Sequence, residues 1–371
     1  MGVSLSGKDR IVIIGAGFAG ASTAWWLTRL GAESPLVLEQ EEFPGVHASG
    51  KNAGIARQAE RDLPTSALCT LGAEFLRRPP DGFCETPLIE VTGGLLYDAS
   101  GKWAPLLGQI HRTALQAGAE ALMVERRLAI EMAPAFDGAP FDQALFCPKD
   151  GLVDIHALLT SYLRSQEVLT GTKVTGFERS GSRITGVVAG SRRFEAKAVV
   201  MAAGAWASEL AKLAGAADLK LTPRRRHLFH TGPMAGLNPR APYLWSLNPE
   251  VYVRPESGGW LMCPCDEAVF PPCAPPVDEE AANQLAVRLK TALPSLASSP
   301  VARSWAALRT FSADDGFVIG KDPLVDNLYW VAALGGHGMT SSAAVGQLAA
   351  SLILGTVPPV DPTPFSPSRF A

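Results

Sequence analysis

The sequence has few cysteines and almost no net charge, and each shortage excludes a class of protein. Among its 371 residues are only 6 cysteines, without the paired C-x-x-C spacing and nearby histidines of a zinc site, so we expect no bound metal. The cysteines form no regular framework either, which predicts reduced, buried thiols and a cytoplasmic protein. A formal charge of −3 gives no indication of a nucleic-acid partner.

Long hydrophobic runs are scarce as well. The one candidate, from Ile11 to Leu30, contains three glycines within six residues, and no small-residue cleavage site follows a compact apolar block. We therefore expect neither a transmembrane segment nor a signal peptide. Peripheral contact with the inner membrane is left open by the sequence.

The segment Ile11–Gly20 predicts a nucleotide-binding unit. Four β-branched residues form a buried strand, and three glycines follow at G-x-G-x-x-G spacing. This spacing permits a tight turn, a close approach of the backbone to a pyrophosphate, and close packing of the next helix on the strand. A second predicted strand, residues 36–38, ends at Glu39, where an acidic residue receives the hydroxyls of an adenosine ribose. The unit therefore predicts a dinucleotide at a helix N-terminus.

The order of strand and helix patterns predicts two discontinuous domains in an α/β fold. Nucleotide-binding pieces lie at the start, in the middle with the strand Ala198–Met201, and at the end with the strand Leu328–Ala333. Strand-rich pieces with proline turns fall between them. The last dozen residues, rich in proline and serine, predict a surface tail. The predicted domains are residues 1–85, 145–222 and 305–371 for the cofactor, and residues 86–144 and 223–304 for the substrate.

Four segments carry a resemblance to a known family: Ile11–Gly20 with Glu39, His47–Gly54, Ala202–Trp206 and Gly335–Thr340. On these segments the chain resembles the FAD-dependent oxidoreductases of the D-amino-acid oxidase, glycine oxidase and sarcosine oxidase group. Within that group it is most similar to the bacterial D-arginine dehydrogenases. The resemblance implies a Rossmann-like FAD-binding domain of the glutathione-reductase and p-hydroxybenzoate-hydroxylase type. It also implies an interleaved α+β substrate domain with a mainly antiparallel sheet.

The resemblance implies FAD instead of NAD, and the sequence agrees. The glycine turn 334–338 precedes a predicted helix, Met339–Leu354, and supplies N–H groups and a positive dipole for the flavin edge. Residues 308–313 contain no cysteine, so we expect noncovalent FAD. The expected cofactor-binding residues are Gly15, Gly17, Phe18, Ala19, Gly20, Glu39, Gln40, Ser49, Gly50, Asn52, Ala53, Val174, Ala203, Gly204, Gly335, Gly336, His337, Gly338, Met339 and Thr340.

Three residues are candidates for binding a substrate carboxylate. The resemblance places Arg309 in that role, and a guanidinium binds a carboxylate bidentately. It gives Tyr252 an added hydroxyl in the same clamp, with a half-buried strand tyrosine as the alternative. Arg226 matches a pocket arginine of the family, whereas its place in a run of three arginines is also typical of a solvated edge.

Three further candidates concern the amine and the side chain of the substrate. His47 matches a pocket histidine that could help deprotonate the substrate ammonium, or it is a structural hydrogen-bond donor. His337 lines the pocket near the flavin or is only a turn residue. Glu85 matches a glutamate that pairs with a cationic side chain, with a surface glutamate as the alternative.

The resemblance implies oxidative deamination of D-amino acids, in particular cationic ones such as D-Arg or D-Lys. Hydride transfer to flavin N5 would give an imino acid, which water hydrolyses to a 2-oxo acid and ammonia. The strand Trp260–Cys263 lacks the lysine that sarcosine oxidases use with oxygen, which favours a dehydrogenase with a quinone or respiratory acceptor over O2. The alternatives are a secondary-amine oxidase or dehydrogenase for sarcosine, glycine, proline or an opine, an NAD-dependent dehydrogenase, and a flavoprotein subunit of a larger dehydrogenase.

Overall fold

A computed structural model describes residues 10–370, so the outermost residues of the predicted domains, 1–9 and 371, lie outside it. The helices are α1 (Phe18–Arg29), α2 (Leu63–Arg77), α3 (Ala104–Gln116), α4 (Arg126–Met132), α5 (Ile155–Leu163), α6 (Ala207–Ala214), α7 (Glu279–Ala292) and α8 (Ser342–Leu354). The strands are β1 (Ile11–Ile14), β2 (Leu36–Leu38), β3 (Ile55–Ala56), β4 (Ile89–Glu90), β5 (Gly94–Tyr97), β6 (Leu122–Glu125), β7 (Gln143–Cys147), β8 (Gly151–Val153), β9 (Glu167–Leu169), β10 (Gly176–Ser180), β11 (Arg183–Ala189), β12 (Arg192–Glu195), β13 (Ala198–Met201), β14 (Thr222–His230), β15 (Tyr243–Leu247), β16 (Glu250–Glu256), β17 (Gly259–Cys263), β18 (Arg303–Phe311), β19 (Val318–Lys321) and β20 (Leu328–Ala332).

The first layer is a six-stranded sheet in the order β19-β20-β13-β1-β2-β9. All its pairings are parallel except that of β19 with β20. The predicted strands at residues 11–14, 36–38 and 198–201 are confirmed as β1, β2 and β13. Every residue of these three strands is buried, because helices and a small sheet cover both faces.

Alternate residues of β1 belong to two separate cores. Ile13 faces α1 and α8, whose backbones approach so closely that a Cβ on Gly346 would lie 2.6 Å from the carbonyl carbon of Ser22. Val12 and Ile14 face α6 and the antiparallel sheet β10-β11-β12. This period of two follows from the pleat of a strand buried on both faces.

The second layer is an eight-stranded sheet in the order β18-β14-β17-β16-β15-β5-β7-β6, antiparallel except where β15 pairs with β5. The chain is an α/β fold with this mainly antiparallel sheet beside the parallel one. The predicted domain boundaries at residues 145 and 305 fall inside two of its strands, β7 and β18, so these strands begin in one predicted domain and end in the other.

Two expectations near the C-terminus are wrong. Helix α8 begins at Ser342 and not at Met339, because residues 337–341 form turns in which the Ser341 N–H donates to the His337 carbonyl at 3.0 Å. The last residues are not a surface tail either. Phe365 is buried in the core beside α8, and the Arg369 guanidinium binds the Asp314 carboxylate at 2.8 Å. The expectation failed because proline and serine content gives no information about whether one aromatic side chain, Phe365, is buried.

Candidate active site

A cavity of about 410 Å³ opens at the carboxyl ends of β1, β2 and β13, where the parallel sheet meets the loops that follow it. This edge is where open α/β sheets bind ligands. Most of the residues expected to bind the cofactor line it. They are Gly15, Gly17, Phe18, Ala19, Glu39, Gln40, Ser49, Asn52, Val174, Ala203, Gly204, Gly335, Gly336, Gly338 and Met339.

The other five expected cofactor residues do not line this cavity. A Cβ on Gly20 would lie 1.9 Å from the Gly15 carbonyl oxygen, so this glycine supports the turn from behind. Gly50 stands in the same relation to the Gly45 carbonyl oxygen, at 2.2 Å. The Thr340 hydroxyl donates to the Ile55 carbonyl at 3.1 Å. The fourth and fifth are Ala53, which is buried, and His337, whose contacts are described below.

The glycine turn between β1 and α1 fits a diphosphate. Gly15 has φ +104°, and a Cβ there would lie 2.5 Å from the Ala202 carbonyl oxygen, so only glycine is accommodated. Gly17 caps α1 without a side-chain hydrogen bond, and the first turn of the helix carries no acidic residue. The positive end of α1 therefore faces the cavity, where an anion would be stabilised.

Glu39 is held in place at the end of β2. Its two carboxylate oxygens accept the Ala16 N–H at 2.8 Å and the Glu41 N–H at 3.0 Å. Each oxygen keeps further lone pairs for a hydroxyl. The buried carboxylate is therefore fixed at the end of β2, and its contact with a ribose diol stays a prediction.

At the opposite end of the cavity, Arg309 and the glycine turn at residues 335–338 both line the wall. Gly335 has φ +51° and donates its N–H to the Thr310 carbonyl at 3.1 Å. A Cβ on Gly336 would lie 2.7 Å from Arg309 Nη1, so a side chain at 336 would displace the guanidinium. The position of the Arg309 guanidinium therefore depends on glycine at position 336.

Arg309 and Tyr252 meet at this end. Arg309 Nη2 donates to the Tyr252 hydroxyl oxygen at 3.3 Å, and Arg309 forms no ion pair with a carboxylate among residues 10–370. Burial, together with the nearby Cys263 and against the lowering effect of Arg309, raises the pKa of Tyr252 well above its ordinary value. The phenol therefore keeps its proton and can donate it to a bound carboxylate.

Two other candidates form no hydrogen bond with this pair. Arg226 is buried, forms an ion pair with Glu267 and, like Tyr252, is not among the residues that line the cavity. His47 does line the cavity, but its Nε2 lies 2.8 Å from a Glu41 oxygen and its ring 4.6 Å from that of Trp206. Within residues 10–370 no contact joins His47 to Arg309 or Tyr252, so its role as a base stays a prediction.

Glu85 does not lie in the site. Its side chain is 85% exposed and 3.5 Å from the Arg164 guanidinium, on the surface beyond α5. The expected pairing of Glu85 with a cationic substrate is corrected here, because a solvated carboxylate outside the cavity cannot select a side chain inside it.

Residues that the sequence analysis missed surround His337. The Arg57 guanidinium binds Glu60 through Nε at 2.7 Å, and His337 Nε2 lies 3.1 Å from the same carboxylate. Burial alone would raise the pKa of Glu60, but Arg57 and His337 lower it to about 2. An arginine and a glutamate three residues apart are ordinary on a surface, so nothing in the sequence indicated this buried cluster.

The aromatic Trp245 was also missed, although it connects this cluster to the Arg309 pair. The Arg57 guanidinium lies 4.0 Å from the Trp245 ring centroid, and the Trp245 ring stacks on Tyr252 at 4.3 Å. Eight other lining residues were not among the expected cofactor-binding residues, namely Lys51, Thr172, Lys173, Thr175, Trp206, Glu209, Cys273 and Pro275.

Comparison with known proteins also indicates a nucleotide-cofactor site in this chain. A model of the family described as DAO, FAD dependent oxidoreductase, matches residues 10–352. The chain belongs to this family of FAD-dependent oxidoreductases. FAD is therefore its cofactor, and the β1–α1 turn, Glu39 and the Gly335–Gly338 turn are the residues that would hold it.

Relatives of this family member match over nearly its whole length. It is 27% identical to FAD-dependent oxidoreductase domain-containing protein 1 of Bos taurus, over 98% of this chain and 85% of that protein. It is 28% identical to the glycine oxidase of Pseudomonas aeruginosa, over 97% of this chain and 99% of the relative. The crystal structure of L-proline dehydrogenase from P. horikoshii superposes with a TM-score of 0.88 at 22% identity, covering 99% and 98% of the two chains. Particular closeness to D-arginine dehydrogenases stays a prediction.

No helix within residues 10–370 of this family member has the length and apolar character needed to cross a bilayer.

Proposed function

We propose that this oxidoreductase oxidises the C–N bond of an α-amino acid whose carboxylate is bound by Arg309 and Tyr252. The observation that carries the proposal is the arginine at the flavin turn, which has a phenol beside it and no carboxylate partner among residues 10–370. A guanidinium and a protonated phenol together offer several N–H and O–H donors to one carboxylate. That arrangement fits an amino acid better than a simple amine.

Bound FAD would supply the hydride acceptor, so that the Cα–H bond breaks and an imine forms, which water hydrolyses to a 2-oxo acid and ammonia. The residues of the chain orient the substrate and exclude water. Arg309 and Tyr252 hold the carboxylate, and the stacked rings of Trp245 and Tyr252 form an apolar wall beside it. Binding at two points reduces the freedom of the substrate before reaction.

We propose further that the substrate is a D-amino acid and that the acceptor is not O2. Both follow from the family resemblance, and the second is supported by β17, where Gly259–Cys263 carries no lysine. The cationic preference has lost its support, because it depended on Glu85.

The second candidate is a secondary-amine oxidase or dehydrogenase. It is favoured by the names of two similar proteins, a glycine oxidase and an L-proline dehydrogenase. The carboxylate clamp serves such substrates equally well, since glycine, sarcosine and proline all carry an α-carboxylate. Only the amine and the configuration at Cα distinguish the two candidates.

An anaerobic titration tests both candidates. The visible spectrum of the purified holoprotein is recorded while D-amino acids, L-amino acids, glycine, sarcosine and proline are added one at a time. Bleaching of the flavin band by D-amino acids supports the first candidate, and bleaching by sarcosine or proline alone supports the second. If no amine bleaches the flavin, C–N oxidation by this chain alone is refuted. Reoxidation by a quinone under argon, and slow reoxidation in air, would support a dehydrogenase.

A further inference from the structure

The cluster of Arg57, Glu60 and His337 has one buried carboxylate and two partly exposed donors. Glu60 is almost fully enclosed, with 4% of its side chain exposed, whereas Arg57 and His337 keep 15% and 27%. The carboxylate therefore lies behind, and the two donors lie in front of it. His337 stands between Gly336 and Gly338, both of which line the flavin cavity. The cluster thus adjoins the site without being part of the cofactor cradle.

The hydrogen bonds inside the cluster leave donors unused. Arg57 binds Glu60 through Nε and Nη2, and His337 binds it through Nε2, so both oxygens of Glu60 are occupied. Arg57 Nη1 has no partner among residues 10–370. The Trp245 side chain is more than nine-tenths buried, and its indole N–H also lacks a partner within those residues. A partly exposed guanidinium N–H and a buried indole N–H, both without protein partners, favour an anion or a strong acceptor as ligand.

These donors are connected to the carboxylate clamp by a continuous stack. Arg57 lies on Trp245 at 4.0 Å, Trp245 lies on Tyr252 at 4.3 Å, and the Tyr252 hydroxyl contacts Arg309 at 3.3 Å. One guanidinium therefore stands at each end of an aromatic wall. Glu60 offsets only the charge of Arg57, and Arg309 has no such carboxylate, so the wall is electropositive overall.

We infer that Arg57 and His337 form a second carboxylate-binding position and that the preferred substrate is a dicarboxylic amino acid. The inference rests on the proposed function, because Arg309 and Tyr252 must hold the α-carboxylate. The side-chain carboxylate would then accept hydrogen bonds from Arg57. Glu60 is a positioning residue, because it holds the guanidinium against Trp245 and does not itself contact the substrate. A neutral or cationic side chain would leave the Arg57 donors unpaired.

Acids that carry no amine test the second carboxylate position by binding alone, without the oxidation step. Glutarate and butyrate carry no amine, and their binding is followed by the change in the flavin spectrum of the holoprotein. We expect wild type to bind glutarate about 10-fold more tightly than butyrate, the effect of one charge-assisted hydrogen bond. Arg57→Gln should reduce that ratio to about one, and Arg57→Lys should keep part of it through its charge. A wild-type ratio near one, or a ratio that Arg57→Gln leaves unchanged, would overturn the inference.

The matched control is Arg193→Gln, which removes another arginine–glutamate pair on the surface sheet β10-β11-β12, where Arg193 lies 2.6 Å from Glu178. This variant should keep the wild-type ratio. Flavin reduction by D-glutamate and D-glutamine is measured on the same samples. If glutarate binding depends on Arg57 but no amino acid reduces the flavin, the carboxylate position stands and the proposed oxidation fails. If D-glutamine reduces the flavin as fast as D-glutamate, and glutarate binds no better than butyrate, only the second position fails.

Discussion

The two ends of the flavin cavity are built in different ways. The phosphate end comes from one continuous stretch, β1, α1 and β2, and its important groups are backbone N–H donors and one fixed carboxylate, Glu39. The substrate end gathers Arg57, Tyr252, Arg309 and His337 from four distant parts of the chain. A site made of backbone can be encoded by local spacing, whereas a site made of side chains depends on the sheets that bring them together.

The two ends also differ in charge. The phosphate end uses the helix dipole and has no acidic residue in the first turn of α1. The substrate end contains buried charges that are stable only because they are paired or hydrogen-bonded, as Glu60 is with Arg57. Variants at the phosphate end should therefore change how much FAD the protein retains. Variants at the substrate end should change KM for the substrate and the pH dependence of stability.

The largest effect should follow Gly15→Ala at the phosphate end. The new Cβ would lie 2.5 Å from the Ala202 carbonyl at φ +104°, and strain with overpacking costs about 2–5 kcal/mol in total. We expect loss of bound FAD, measured by the absorbance ratio of the purified protein. The matched control is Gly31→Ala, which has φ +90° but nothing within 4 Å of its Cβ. Equal loss of FAD in both variants would mean that backbone strain, not the cradle, is responsible.

Arg309→Ala should produce the next largest effect, at the substrate end. Loss of one partner of a buried charged hydrogen-bonded pair costs about 2–5 kcal/mol, so KM for an amino acid should rise by about 100-fold. FAD content should be unchanged. Arg303→Ala, on the exposed start of the same strand β18, serves as the control and should leave KM as it is. Unchanged kinetics in Arg309→Ala would remove this residue from the site.

Asp150→Asn should change the pH dependence of stability. Asp150 lies beneath the substrate end, where it accepts hydrogen bonds from Tyr243 at 2.5 Å and Gln58 at 2.7 Å. Burial, against these hydrogen bonds, raises its pKa from 3.8 to about 7. The folded state therefore holds this proton more tightly, and the stability it contributes, at most about 4 kcal/mol, is present below pH 4 and lost as pH rises through 7.

Thermal unfolding from pH 4 to pH 8 measures this effect. The profile of Asp150→Asn should be flatter than that of wild type, because asparagine carries no titrating proton. The exposed Asp137→Asn variant should follow wild type. Parallel profiles for wild type and Asp150→Asn would show that Asp150 does not titrate in this range.

The smallest effect is expected for Glu85→Gln. Its side chain is 85% exposed and outside the cavity, so rates of flavin reduction by D-arginine, D-lysine and D-alanine should each change by less than about twofold. A selective loss on the two cationic substrates would contradict the placement of Glu85 and restore the cationic preference.

Much of the fold was predictable from local patterns. The strands at residues 11–14, 36–38 and 198–201 have the bounds that their patterns predict. The start of α8 could not be predicted in this way, because turn hydrogen bonds at residues 337–341 replace the first helical turn. The burial of Phe365 near the C-terminus could not be predicted either, because it depends on contacts with the core beside α8.

The candidate site divides in the same way. The glycine turn that lines the cavity follows from local spacing, since a tight turn and a close backbone approach require particular residues at particular distances along the chain. Arg309 and Tyr252 were named from resemblance, and their contact at 3.3 Å depends on strands β18 and β16 lying in one sheet.

The sequence by itself determined the nucleotide-binding unit and the alternation of strand and helix patterns along the chain, and its family resemblance implied FAD as the cofactor. Only the tertiary structure decided that Glu85 is solvated and that Arg57, Glu60, His337 and Trp245 lie in contact with one another. The physical reason is range. A turn or a helix N-terminus is made by neighbours in sequence, whereas Arg57 and His337 are 280 residues apart and meet only after folding.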